Sequence, residues 1–266
     1  MTRASLAPME ADIVELLEQF APVSLGELDD RAGLLRRVDN KYAVERQAFL
    51  ELAAALKDDH EVLEIDGSRA FAYRTTYFDS PDLRCFTDHV DGHLPRFKAR
   101  TRLYRDSDQC VFEVKLKNRD DETDKRQIDY PAEDRERLTD QAKRCLSQAL
   151  ADAAIDSPDE LAPRLHTAFD RITLAARGGS ERITCDLGVR LSSPDHRTAD
   201  LRRDLVLVET KTEHGDGPAD GVLRGLGVQP VSLSKYRVGT SLVGHAPTNR
   251  PQPGSELFAT AQVPPL

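Results

Sequence analysis

The sequence predicts an α+β fold in which about eight mostly antiparallel strands close into a barrel with flanking helices. Three observations lead there. Apolar and polar residues alternate with a period of two in segment after segment. Polar turns between those segments favour antiparallel neighbours. Basic residues recur at alternate strand positions in a chain whose net charge is −9, which puts cations inside and acid outside.

The pattern is sharpest in Arg96-Phe97-Lys98-Ala99-Arg100-Thr101-Arg102-Leu103-Tyr104. Side chains alternate between faces of a strand, so Arg96, Lys98, Arg100 and Arg102 share one face. After a turn at Asp106, Ser107 and Asp108, the next run sets Glu113, Lys115 and Lys117 on one face. Cys110, Phe112, Val114 and Leu116 fall on the other. The pair reads as a hairpin with one apolar and one cationic face. Neighbouring like charges at roughly 7 Å, in an effective dielectric near 20, cost on the order of 2 kcal/mol each, so the cationic face calls for an anionic partner.

The remaining elements follow in order. Met9–Phe20 has apolar residues at helical spacing and Pro22 closes it. Leu34–Val44 reads as a strand carrying Arg36, Arg37 and Lys41, and Arg46–Leu56 as a helix. Ala70–Asp79 is a strand stopped by Ser80-Pro81-Asp82. Leu83–Pro95 is a connector with room for a short strand over Cys85–Val90. Asp124–Tyr130 is a strand in which only one of Lys125 and Arg126 can face the cationic side. Pro131–Ala154 reads as an amphipathic helix. Arg164–Leu174, Glu181–Leu187 and Asp204–Thr212 are strands, separated by Gly178-Gly179 and by a polar loop over Ser192–Ala199. Pro218–Leu226 is a short helix, and Ser232 or Ser234 caps a last one. From Ala246 onward, five prolines without periodicity predict a loose tail. The expected organisation is an N-terminal helical segment over 1–30, one main domain over 31–245 and a Pro-rich tail over 246–266.

At 266 residues, 39% hydrophobic and 31% charged, the composition is that of a globular protein able to bury a sizeable core. No apolar run approaches a membrane span and no secretory signal pattern is visible, so the expected location is cytoplasmic. The acidic balance argues against a nucleic-acid partner. Cys85, Cys110, Cys145 and Cys185 form no Cys-x-x-Cys pair, and His89 and His93 are too isolated to suggest zinc.

In chain order, Arg37-Val38-Asp39-Asn40-Lys41-Tyr42, Tyr77-Phe78-Asp79-Ser80, Arg96-x-Lys98-x-Arg100-x-Arg102 and Glu113-x-Lys115 are followed by Lys125-Arg126 and Phe169-x-Arg171. Arg182-Ile183-Thr184-x-Asp186, Glu209-x-Lys211 and Ser234-Lys235-Tyr236 complete the series. Together these motifs resemble the CYTH-like triphosphate tunnel metalloenzymes, and within them the VTC domain. The first strand departs from the family in carrying Asp39-Asn40 where a Glu two residues before the lysine is more usual, and Phe169 stands where Tyr is more usual.

The resemblance implies a closed antiparallel β-barrel tunnel and a polyphosphate polymerase, which moves the γ-phosphate of ATP onto a polyphosphate chain with Mn²⁺ or Mg²⁺. It implies phosphate binding by Lys41, Arg100, Arg102, Lys115, Lys125, Arg171, Arg182, Lys211 and Lys235, with Arg100, Arg102, Lys115 and Lys235 in the catalytic role. It implies metal binding by Glu209 and Glu113. Two alternatives stand beside it: hydrolysis of inorganic or nucleoside triphosphate in the same tunnel, and a non-catalytic polyphosphate-binding module. Glu113 also reads as a salt-bridge partner that orders its cationic neighbours, and Arg96, Lys98 and Lys117 as rim residues.

Overall fold

The computed structural model describes residues 11–32, 38–119, 122–244, 246 and 252–260. It is α+β, with a large, mainly antiparallel sheet and seven helices among the described residues. In order these are α1 (Ala11–Glu18), β1 (Ala21–Val23), α2 (Leu25–Ala32), β2 (Val38–Glu45), α3 (Arg46–Leu56), β3 (His60–Leu63), β4 (Phe71–Asp79), α4 (Arg84–Val90), β5 (Arg96–Tyr104), β6 (Gln109–Lys117) and β7 (Thr123–Asp129). Then come α5 (Asp140–Asp152), β8 (Ala162–Ala176), β9 (Arg182–Ser192), β10 (Thr198–Leu201), β11 (Leu205–Thr212), α6 (Pro218–Gly225), α7 (Lys235–Val243) and β12 (Phe258–Thr260). The chain forms two compact units, one from Met1–Phe71, Phe169–Val189 and Leu201–Ser232, the other from Ala72–Ala168, Arg190–Asp200 and Leu233–Leu266.

In the first unit β2 pairs antiparallel with β11 along its whole length, and β11 pairs with the first half of β9. The second half of β8 pairs with β3, which carries β1 in parallel. Period-two alternation sorts the side chains. Tyr42, Val44, Ile172, Leu174, Ile183, Cys185, Val206 and Val208 are buried in one core with Leu16, Phe49, Leu52, Leu56 and Leu223 from the helices and with Phe20 after α1. Lys41, Arg171, Arg182, Glu209 and Lys211 are out of phase with that set and belong to the opposite face.

In the second unit β4, β5, β6 and β7 form an antiparallel meander. Phe97, Ala99, Leu103, Cys110, Phe112, Val114 and Leu116 are buried, and Leu146, Ala149 and Leu150 of α5 supply buried helical surface. The cationic residues of β5 occupy every position between, each half-buried.

Several expectations are corrected. Neither unit's ladder closes a ring among the described residues: β1 and β2 end the first, β12 and β7 the second. Alternation reveals which face of a strand is buried and says nothing about which edges meet. Cys85–Val90 is helical, because the Asp79 carboxylate accepts hydrogen bonds from the Cys85 and Phe86 amides and so starts α4 from a distance. The helix expected from Pro131 is a 3₁₀ turn over Ala132–Asp134, followed by α5. Thr139 caps α5 by accepting from the Ala142 amide. Pro22 lies in β1 instead of ending a helix, and the polar loop over Ser192–Ala199 is bounded by β9 and β10. The predicted loose tail contains, over 252–260, a 3₁₀ turn and β12, whose Phe258 is buried. Residues 9–10 and 34–37, with Arg36 and Arg37, lie outside the described residues.

Candidate functional site

The cations of the second unit gather around one carboxylate. Arg100 Nε donates to Glu113 Oε2 at 2.6 Å, Arg102 Nη1 lies 3.9 Å from the same oxygen, and Lys125 Nζ lies 3.7 Å from Oε1. Glu113 is 2% exposed. Burial raises its pKa, but the charges of Arg100 and Arg102 and the Arg100 hydrogen bond outweigh this and hold it at about 2. Arg100 also donates to the Tyr77 hydroxyl at 3.3 Å and stacks 5.9 Å from that ring, while Arg102 lies 5.7 Å from the ring of Tyr73. Burial favours the neutral Tyr77 phenol, yet the charges of Arg100, Arg102 and Lys235 bring its pKa below the usual value.

Lys115 stands opposite Lys98 on one side and Lys125 on the other. Of the Lys125–Arg126 pair, Lys125 is on the Glu113 side, and Arg126 ion-pairs with Asp124 and with Asp152 of α5. Lys235 opens α7. Ser234 is the cap of that helix, accepting from the Arg237 amide and from Lys98 Nζ, both at 3.4 Å. Tyr236 is buried, donates to Asp79 and packs 5.0 Å from Tyr77. Asp79 thus ties the start of α7 to the strand that carries Tyr77.

The first unit holds a separate cluster around Glu209. The β2–β11 register sets Lys41 opposite Glu209, with Nζ 3.4 Å from Oε1, and Lys211 Nζ reaches Oε2 at 3.1 Å. Lys211 is buried and also donates to Thr184 Oγ1 at 3.0 Å. Burial lowers its pKa to about 8, with Arg171 adding to the fall and Glu209 opposing it. Arg171 makes a bidentate pair with Asp186 at 2.6 and 2.8 Å and stacks 5.1 Å from the ring of Phe169. Arg182 is opposite Lys211 in the β9–β11 register and 3.9 Å from Asp29. On the far face of this ladder, Asp220 of α6 is buried and accepts from Asn40 at 3.0 Å, Tyr42 at 2.6 Å, Thr210 at 2.7 Å and the Gly217 amide at 2.9 Å.

Lys41, Arg171, Arg182, Lys211 and Glu209 therefore belong to one unit, and Arg100, Arg102, Lys115, Lys125, Lys235 and Glu113 to the other. No group of three or more His, Cys, Asp and Glu side chains suited to a metal occurs among the described residues. Mg²⁺ and Mn²⁺ in phosphate sites need only one or two carboxylates, the phosphates supplying further oxygens. Glu209 fits that role, being part-exposed and flanked by ammonium groups that would also meet phosphate. Glu113 fits less well, because it is buried where Glu209 is part-exposed.

The sequence places Tyr77 in a motif strand and reads Lys98 as a rim residue, in phase with Arg100 and Arg102; Asp220 was overlooked. Asp220 left little local signal, because apart from the nearby Gly217 amide its partners lie 10 to 180 residues away in sequence.

Residues 36–243 match the VTC domain. The chain belongs to the VTC domain family. All nine predicted phosphate ligands and both glutamates of this VTC domain lie within the matched span. No curated protein matches the chain. Among solved structures, a candidate adenylate cyclase from Bacillus halodurans is 14% identical with a TM-score of 0.48, over 75% of this chain and 94% of that one. A Hippeastrum protein described as having a dominant triphosphatase activity is 14% identical with a TM-score of 0.48, over 77% and 95%. A Pyrococcus horikoshii protein is 16% identical with a TM-score of 0.41, over 75% and 93%. Among the described residues no helix is long and apolar enough to cross a membrane.

Proposed function

We propose that the chain is a metal-dependent polyphosphate polymerase that transfers the γ-phosphate of ATP to an inorganic polyphosphate chain. The observation that carries this reading is the Glu209 cluster within a matched VTC domain: one part-exposed carboxylate held between Lys41 at 3.4 Å and Lys211 at 3.1 Å.

In the transfer, a terminal oxygen of the acceptor chain forms a bond to the γ-phosphorus. The bond from that phosphorus to the β–γ bridging oxygen breaks, and ADP leaves with the electron pair. Such a reaction asks for positioning and charge stabilisation more than for a side-chain nucleophile. Arg100 and Arg102 are pre-oriented by Glu113 and present planar forks to phosphoryl oxygens. Lys115 and Lys235 act as point charges where negative charge grows on the leaving group. The role that the family resemblance implies for Lys41, Lys125, Arg171, Arg182 and Lys211 is to hold the other phosphates. Mn²⁺ or Mg²⁺ bound through Glu209 would supply further charge neutralisation. The domain spans 31–245, and the cytoplasm, which holds ATP, is the proposed location.

The test is incubation of the purified protein with ATP and Mn²⁺, followed by electrophoresis of the phosphate products. Acid-stable polymer is expected. Orthophosphate alone would favour the triphosphatase reading, and tight binding without turnover the binding-module reading.

A further inference from the structure

Two sequence motifs, Tyr77-Phe78-Asp79-Ser80 and Ser234-Lys235-Tyr236, meet in the second unit through side chains to which the transfer described above gives no part. The Asp79 carboxylate is fully buried. Its Oδ1 accepts from the Ser80 and Cys85 amides, each at 2.8 Å, and its Oδ2 from the Phe86 amide at 3.0 Å and from the Tyr236 hydroxyl. A buried charge is tolerated only when it is hydrogen-bonded in this way. Three of these donors are backbone amides close by in sequence, whereas Tyr236 comes from 157 residues further along. Burial and the Asp79 charge raise the Tyr236 pKa well above the usual phenol range, which keeps its hydroxyl a donor.

Tyr236 is the second residue of α7, so this anchor acts on the first turn of the helix. The middle of α7 is seated independently: a Cβ on Gly239 would fall 2.6 Å from Leu165 of β8, so the helix backbone lies directly against that side chain. Before Lys235, Ser234 caps the helix by accepting from the Arg237 amide at 3.4 Å. Lys235 therefore stands between two residues that are tied down. Its charge reaches Tyr77, where burial favours the neutral phenol and Arg100, Arg102 and then Lys235 pull the pKa down. The Tyr236 ring packs 5.0 Å from Tyr77, whose hydroxyl accepts from Arg100 at 3.3 Å. The tyrosine pair thus relates the placement of Lys235 to that of Arg100.

We propose that Tyr236 is a positioning residue: its hydroxyl, held by Asp79, fixes the first turn of α7 so that Lys235 meets the transferred phosphoryl group beside Arg100. The role of Lys235 in this proposal rests on the polymerase reading. A tyrosine kept only for its ring would lose nothing on conversion to phenylalanine. A hydroxyl kept only for folding would contribute to stability and leave the Lys235-dependent part of the rate alone.

The experiment measures polymer formation from ATP and Mn²⁺ with wild type, Tyr236→Phe, Lys235→Met and the double variant. Tyr236→Phe keeps the ring against Tyr77 and deletes only the hydroxyl. It is expected to lower kcat about tenfold, as a small misplacement of a catalytic group does, with the KM for ATP within about twofold of wild type. Lys235→Met should lower kcat about a hundredfold, the cost of one charge-stabilising donor. The double variant should match Lys235→Met within about twofold, because once the ammonium is gone its placement no longer matters.

A hydroxyl that only supports folding costs the same factor in both backgrounds. A double variant about tenfold slower than Lys235→Met therefore overturns the proposal, as does a Tyr236→Phe kcat within about twofold of wild type. Wild type that forms no polymer overturns the polymerase reading alone, and the same four proteins are then titrated calorimetrically with inorganic tripolyphosphate. Weaker binding by several-fold on Tyr236→Phe in the wild-type background, and by less than about twofold in the Lys235→Met background, upholds the positioning role. Equal weakening in both backgrounds, or none in either, overturns it.

Discussion

Replacing Glu113 by Gln keeps the shape of the side chain and removes its charge from between Arg100, Arg102 and Lys125. The wild-type carboxyl titrates at about 2 in the folded protein against 4.5 unperturbed. A gap of that size corresponds to about 3 kcal/mol of stability at neutral pH, since one pKa unit is worth about 1.4 kcal/mol. The sign follows from a depressed folded pKa. The contribution is complete above the unfolded value of 4.5 and is lost as pH falls towards 2, with about 1.4 kcal/mol surviving at pH 3. Urea unfolding of wild type and Glu113→Gln at pH 7 and pH 3 measures both. The variant should be less stable by about 3 kcal/mol at pH 7, within the range for removing one partner of a buried pair, and the difference should halve or better at pH 3. Triphosphate should recover part of the loss at pH 7, because it offers the stranded arginines a new anion. An equal difference at both pH values, or one below about 0.5 kcal/mol at pH 7, would refute the assignment of Glu113 as the charge that organises this hairpin.

Three further outcomes are expected. Asp220→Ala removes the acceptor for four hydrogen bonds and should cost about 3 kcal/mol in chemical denaturation; a cost under about 1 kcal/mol would mean that α6 is not what holds β2 and β11 together. Wild type is expected to show a Mn²⁺-dependent rise in melting temperature with a non-hydrolysable ATP analogue, and Glu209→Gln should abolish it; a persisting rise would place the metal elsewhere. Lys125→Ala should weaken ATP binding several-fold, while Arg126→Ala should leave binding unchanged and cost less than about 1 kcal/mol, as expected for exposed ion pairs; the reverse result would exchange the roles given to the two residues.

What could be read in the chain beforehand was what period-two alternation encodes. The β5–β6 hairpin runs over Arg96–Tyr104 and Gln109–Lys117, with charged and apolar faces as expected, and α3 covers the expected Arg46–Leu56. Short strands such as β1 and β3 escaped because three or four residues carry no recognisable period, and their ladder partners lie elsewhere in the chain. α4 escaped for a related reason: its start is capped by Asp79, five residues before its first residue, and its buried Cys85 and Phe86 are adjacent instead of alternating. Within the candidate site, residue type and phase singled out the cations. The partners that orient them were not visible there: Glu113 was read both as metal ligand and as ion-pair partner until its oxygens were seen facing Arg100, Arg102 and Lys125. Ring chemistry was missed altogether, since nothing in an aromatic residue's strand position tells whether a guanidinium will lie over it.

The strands β8 and β9 have a consequence for how the protein is made. At 15 and 11 residues they each contribute to both compact units, and the first unit draws its residues from three separated stretches ending at Ser232. On the ribosome, that unit cannot complete its sheet until β11 has emerged, although β2 was synthesised more than 150 residues earlier. Pairings of such long sequence separation fold slowly and expose strand edges while they wait. The Glu209 cluster belongs to one unit and the Glu113 cluster to the other, and both units take residues from β8 and β9. A truncation that aims to keep either alone removes strand residues from the other, so the basic surfaces can be varied residue by residue but not excised as modules.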